Sequence, residues 1–111
     1  MVSNPSFHCE VENSANDQQG NKVTTIKCHG KLVSENAGEI KEVVKPLIPL
    51  GGRIVIDLGD LDFLDSSGLG ALIGLKVSAI SQGFCILQLA NMRPRILELL
   101  RLTGLEKILS S

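Results

Sequence analysis

The sequence contains no tryptophan and no tyrosine, and only three phenylalanines in 111 residues. A core made from it must be aliphatic. Charge of either sign is not in excess: the formal net charge is −1. No global basic field is therefore available to attract nucleic acid or an acidic membrane surface. No apolar run approaches 18 residues, so nothing in the sequence reads as a membrane span. Cysteine is scarce. Cys9, Cys28 and Cys85 form no CxxC and leave an odd thiol in any pairing, which points to a reduced, cytoplasmic compartment. The opening "MVSNPSFHCEVE" has neither a basic n-region nor an apolar h-region, so it does not read as a signal peptide. The late bases Arg93, Arg95, Arg101 and Lys107 stand at helical spacings and read as a solvated helix face.

What is present is ordinary globular material, with 43% hydrophobic and 21% charged residues. The length suits one domain over residues 1–111, able to bury roughly 65% of its unfolded surface. Residues 1–6 read as a loose terminus. "FHCEVE" (Phe7–Glu12) and "KVTTIKCHG" (Lys22–Gly30) read as two strands of a hairpin, joined by a polar loop over Asn13–Asn21. Ser34 is placed to cap a helix carrying Ala37, Ile40, Val44, Leu47 and Ile48, with Glu35 in its first turn. Pro46 should kink or end that helix, and Pro49–Gly52 should form a turn. "RIVIDL" (Arg53–Leu58) is a near-continuous β-branched run that suits a strand covered on both faces. An acidic loop over Gly59–Asp65 follows, then a helix with Leu69, Leu72, Ile73, Val77 and Ile80 on one face, stopped by Gly83. "FCILQLA" (Phe84–Ala90) reads as a further buried strand. A last helix starts at Pro94, carries Ile96, Leu97, Leu99 and Leu100, and ends at Thr103-Gly104. "LEKIL" (Leu105–Leu109) suggests an edge strand or a docked tail. The order β-β-α-β-α-β-α predicts an α/β domain: a four- to five-stranded mixed sheet opened by a hairpin, with helices packed against it.

The stretch with most chemistry is "FLDSSGLG" (Phe63–Gly70), at a strand-to-helix corner. A serine-hydrolase elbow requires G-x-S-x-G. Ser66 and Ser67 have Leu64 and Asp65 at the position of the first glycine, and both histidines lie on the hairpin. A dinucleotide cradle is disfavoured because Gly68, Gly70 and Gly74 are spaced one residue too widely for the usual fingerprint. Asp57, Asp60, Asp62 and Asp65 also crowd the place of a pyrophosphate. The glycines are equally well explained by close packing of a helix on a sheet. A metal is disfavoured because His8-Cys9 and Cys28-His29 are adjacent pairs on strands. Only one member of each can face a common site, too few for a closed zinc site. The aspartates could hold a hard cation, but their spacing is not that of an EF-hand. A serine here can simply cap the helix. It can also accept a phosphate, adding about −1.5 to −2 charges beside Asp65 and so disrupting a contact surface. Residue types alone leave cap and modification site both open.

The segment "IDLGDLDFLDSSGLGALIGL" (Ile56–Leu75) closely resembles the core of the anti-sigma-factor antagonists of the bacterial STAS-domain family. "CHGKL" (Cys28–Leu32) and "QLANMRPRILELLRLTGLEKIL" (Gln88–Leu109) extend the likeness over nearly the whole chain after the first strand. The resemblance implies a STAS-like fold and a protein-binding switch, not an enzyme. In that family a partner anti-sigma factor that is itself a serine kinase phosphorylates the first serine of the pair, which corresponds to Ser66. The unphosphorylated antagonist binds the anti-sigma factor and frees a sigma factor for transcription, and a phosphatase resets it. ATP and Mg²⁺ would belong to the kinase, leaving this chain with no cofactor and no metal. The implied contact surface is Asp62, Leu64, Asp65, Ser66, Ser67, Gly68 and Leu69, with Ser34 from the neighbouring loop. Ser67 should help shape the corner. The chain departs from the family where an aspartate often follows the second strand: Val33 stands there. The competing readings are a STAS scaffold or transport-complex adaptor with no phosphorylation cycle, and a small-ligand-binding module.

Overall fold

Four strands and three α-helices alternate in the expected order in the computed structural model, which describes residues 7–14, 16–18, 20–83 and 85–104. The strands are β1 (Phe7–Ser14), β2 (Val23–Leu32), β3 (Gly52–Leu64) and β4 (Cys85–Ala90). The helices are α1 (Ala37–Val44), α2 (Ser66–Gln82) and α3 (Pro94–Thr103). The sheet order is β1-β2-β3-β4, with β1 antiparallel to β2 and the other pairs parallel. This is a mixed sheet in which each parallel step is made through a helix. The expected tail over Leu105–Leu109 and the loose terminus lie outside the described residues.

The core is aliphatic. Ile26 and Leu32 of β2, Ile54, Ile56 and Leu58 of β3, and Leu87 of β4 meet Ile40 and Val44 of α1 and Leu72 and Leu75 of α2. Ile96 and Leu100 of α3 join the same cluster, and Phe7 is its one buried aromatic among the described residues. Each such side chain contributes roughly 1.5–3 kcal/mol relative to exposure.

Several expectations are corrected. β3 is not covered on both faces: Ile54, Ile56 and Leu58 are buried, while Arg53, Val55 and Asp57 on the other face are only half-buried. β4 is likewise one-sided, with Cys85 and Leu87 buried and Ile86 and Gln88 exposed. An aliphatic run thus gave no warning that one face of the sheet lies open. The acidic segment after Leu58 continues β3 as far as Leu64. Its alternation is broken because β3 places extra residues opposite β2 between Lys27 and His29 and again between Gly30 and Lys31. The hairpin loop is shorter than expected, since β1 runs to Ser14. Asp17 closes it, accepting from Asn21 N at 2.8 Å and pairing with Arg53 Nε at 3.0 Å.

α1 starts after Asn36, not Ser34, and ends at Val44. A 3-10 turn over Lys45–Leu50 follows and contains Pro46. On α2 the buried face is Leu69, Leu72, Leu75, Lys76 and Ala79, whereas Val77 and Ile80 are exposed. The helix is apolar nearly all round, so spacing could not select its inner face. Lys76 is only 4% exposed and donates to the Leu87 carbonyl at 2.6 Å. Burial holds its ammonium below the usual lysine range.

Candidate functional site

β2 and β3 run parallel, so their C-terminal ends open side by side, where ligands and partners of α/β folds commonly bind. Two loops meet there: Val33–Asn36 after β2, and the Asp65 corner between β3 and α2. Asn36 organises the first. It is 2% exposed; its Oδ1 accepts from Val33 N at 2.9 Å and its Nδ2 donates to the Lys31 carbonyl at 3.0 Å. A buried amide so engaged holds a turn rigidly.

Asp65 organises the second. In extended conformation at the N-cap of α2, it accepts from Gly68 N at 2.9 Å through Oδ1. Its Oδ2 accepts from Ser34 N at 3.1 Å. Its own N–H donates to the Leu32 carbonyl at 3.2 Å. One carboxylate thereby caps the helix and ties both loops together. Gly68 completes the joint: a Cβ there would collide with the Leu32 carbonyl oxygen and Leu64 Cδ1. Gly70 and Gly74 meet nothing, so the close-packing account of the glycines holds for Gly68 alone.

This arrangement decides the cap question. Asp65 is the cap, and Ser66 and Ser67 occupy the first two helical positions, both exposed. Among the described residues neither hydroxyl has a hydrogen-bond partner. The two serines are presented at the positive end of a 17-residue helix. Of the other residues singled out in the sequence, Asp62 and Ser34 are exposed, whereas Leu64, Gly68 and Leu69 are buried and support the corner from beneath. Sequence reasoning missed Asn36, although an asparagine just before a helical pattern is a known cap signal. Phe63, inside the stretch singled out in the sequence, is 44% exposed at the corner. A groove of about 250 Å³ runs from Asp62–Leu64 to the face of α3 bearing Arg95, Leu99 and Leu102.

The four aspartates do not converge. Asp57 accepts from Gly59 N at 2.8 Å and Asp65 caps α2. Asp60 lies 3.2 Å from His29 Nδ1, and Asp62 pairs with Arg93 Nη1 at 3.1 Å. Arg93 also donates from Nε to the Gly59 carbonyl at 2.8 Å, so this arginine braces β3 instead of standing on a solvated face. His8 and His29 are opposed on β1 and β2. Among the described residues no histidine contacts Ser66, and no base is in place to activate it.

The STAS domain profile matches residues 14–110. The anti-sigma-B factor antagonist of Bacillus subtilis (strain 168) is 30% identical over 104 residues, spanning 94% of this chain and 89% of that protein. Its counterpart in Staphylococcus aureus (strain NCTC 8325 / PS 47) is 30% identical over 89 residues, 79% of this chain and 82% of that protein. Among solved structures, an anti-sigma factor antagonist from Mycobacterium paratuberculosis superposes with TM-score 0.70 at 24% identity, covering 96% of this chain and 86% of that one. The anti-sigma factor antagonist SpoIIAA in its unphosphorylated form gives 0.69 at 20% identity, covering 90% and 84%. The phosphorylated form of the Bacillus cell fate determinant SpoIIAA gives 0.62 at 20%, covering 88% and 86%. Exposed hydroxyls on a braced corner, the sheet order and these relatives agree: the chain belongs to the STAS-domain family, among the anti-sigma factor antagonists.

Proposed function

We propose that this protein is a phosphorylation-controlled binding switch. Unmodified, it binds an anti-sigma factor that is also a serine kinase and so frees a sigma factor for transcription in the bacterial cytoplasm. Phosphate on Ser66 ends the complex and a phosphatase restores it. ATP and Mg²⁺ belong to the kinase, and the chain itself carries out no reaction. The observation that supports this reading is that Asp65 takes over the capping role and leaves Ser66 exposed. SpoIIAA, of the same fold, has been solved both with and without phosphate.

The electrostatics fit an off-switch. Both oxygens of Asp65 are bonded to the backbone, so this carboxylate cannot swing away from a new phosphate. About −1.5 to −2 added charges beside it raise the cost of burying the corner against a partner. Ser34, Asp62, Ser66 and Ser67 form the exposed contact surface, with Leu64, Gly68 and Leu69 as its support.

The test is incubation with the candidate kinase and ATP, followed by mass spectrometry of wild type and Ser66→Ala. One phosphate that disappears in the variant is expected; none on Ser66 with any cognate kinase would sink the proposal. In binding assays, Ser66→Ala should bind regardless of kinase activity, and Ser66→Asp should bind about tenfold or more weakly, roughly 1.4 kcal/mol.

A further inference from the structure

Away from the corner, on the open face of the sheet, three metal-ligating side chains lie close together. His8 of β1 stands directly opposite His29 of β2. Their rings stack with centroids 4.5 Å apart and planes within 13°, so a shared ion requires the exposed His8 ring to rotate out of the stack. Glu10, two residues beyond His8, shares its face of the strand. Its Oε1 lies 3.2 Å from His29 Nε2 and 3.8 Å from His8 Nε2. One ligand atom from each of the three falls within 4.8 Å of the others. Ligands held tetrahedrally at Zn–N distances of about 2.0–2.1 Å sit about 3.3 Å apart, so the two Glu10 spacings already approach those of a loaded site, and the His8 ring must move to complete it.

Two further observations point to a ligand. His29 Nε2 is buried, yet among the described residues it makes no hydrogen bond, although Glu10 Oε1 lies 3.2 Å away. On the other side of the ring, Asp60 Oδ2 lies 3.2 Å from His29 Nδ1. A carboxylate behind an imidazole is the usual support that orients a metal-binding histidine and raises its basicity. The extra residue of β3 brings Asp60 into register with His29. Adjacent residues on a strand cannot share a site, which had argued against a metal; the third ligand comes instead from two residues further along.

We propose that His8, Glu10 and His29 bind a first-row divalent ion, with Zn²⁺ as the best match, and that Asp60 positions His29. Two imidazoles and one carboxylate suit Zn²⁺, Co²⁺ or Ni²⁺ better than Mg²⁺ or Ca²⁺. His8 and Glu10 are 63% and 54% exposed at their side chains, so the ion has a path from solvent. The ion clamps the edge strand β1 onto β2, independently of Ser66.

The test uses the full, untagged chain, stripped with chelator and titrated with Zn²⁺ by calorimetry and with Co²⁺ by visible absorption. One ion per chain and a rise in melting temperature with Zn²⁺ are expected. His8→Ala should lose both, and Asp60→Asn should weaken binding by about tenfold or more. His8 is exposed, so its removal leaves folding intact even where His29→Ala fails to fold. Cys9 and Cys28 pair on the opposite face, so Cys9→Ala should bind as wild type. No saturable binding, or binding that survives His8→Ala, or binding lost in Cys9→Ala alone, overturns the site.

Discussion

The serine corner and the histidine cluster lie at different places on the same sheet and use polar groups in opposite ways. At the corner the polar side chains are satisfied by backbone: both oxygens of Asp65 and both ends of the Asn36 amide bond to it. What remains free is a pair of hydroxyls on a rigid mount. At the cluster, side chains face one another, and a buried imidazole nitrogen is left without a hydrogen bond. The first arrangement suits presentation to another macromolecule. The second suits capture of a small ion. Stability should accordingly be concentrated at the corner and nearly absent from the cluster while no ion is bound.

Gly68→Ala attacks the corner at its tightest point and should cost about 2–3 kcal/mol, because the new methyl must displace a backbone carbonyl. Urea unfolding measures this; a loss under about 0.5 kcal/mol would show that the joint yields freely. Asp65→Ala removes the cap and the tie to Ser34 together, for about 1–2 kcal/mol. If the same assay shows no change, the capping account is wrong. Gly70→Ala has the opposite sign: open space and a helical position predict a gain of up to about 1 kcal/mol. A destabilised variant would mean that Gly70 packs against something. His8→Ala, assayed without metal, should stay within about 0.5 kcal/mol of wild type, and a larger loss would mark the cluster as structural.

Lys76, which reaches β4 from α2, allows a test by pH. Burial lowers its folded-state pKa, so the unfolded chain holds the proton more tightly. The penalty on the native state is therefore present at neutral pH and fades as pH rises through the lowered value toward the ordinary lysine value of about 10.4. Relative to Lys76→Met, wild type should gain stability between neutral and alkaline pH. A gap that stays constant with pH would refute the effect of burial.

Much of this is legible in the sequence itself. Alternation and turn residues located the strands, and Gly83, Pro94 and Gly104 marked helix ends correctly. Asp-Ser-Ser-Gly with its flanks identified the corner. The inner face of α2 was not legible, since Val77 and Ile80 are as apolar as the buried Leu72 and Leu75. The acidic end of β3 read as a loop because its extra residues break the period on which strand reading depends. Ser34 and Asn36 are both good capping types two residues apart, and packing chose between them.

Local chemistry, carried in the order of side chains, was enough to specify an aliphatic α/β sheet and a serine pair at the head of a helix. It could not say which residue at that head would be the cap, because this depends on a contact between Asp65 and a turn 31 residues earlier in the chain. Nor could it bring Glu10 and Asp60 to the two sides of His29. That depends on how β1 and β3 register against β2, and register is set by the packing of the whole sheet.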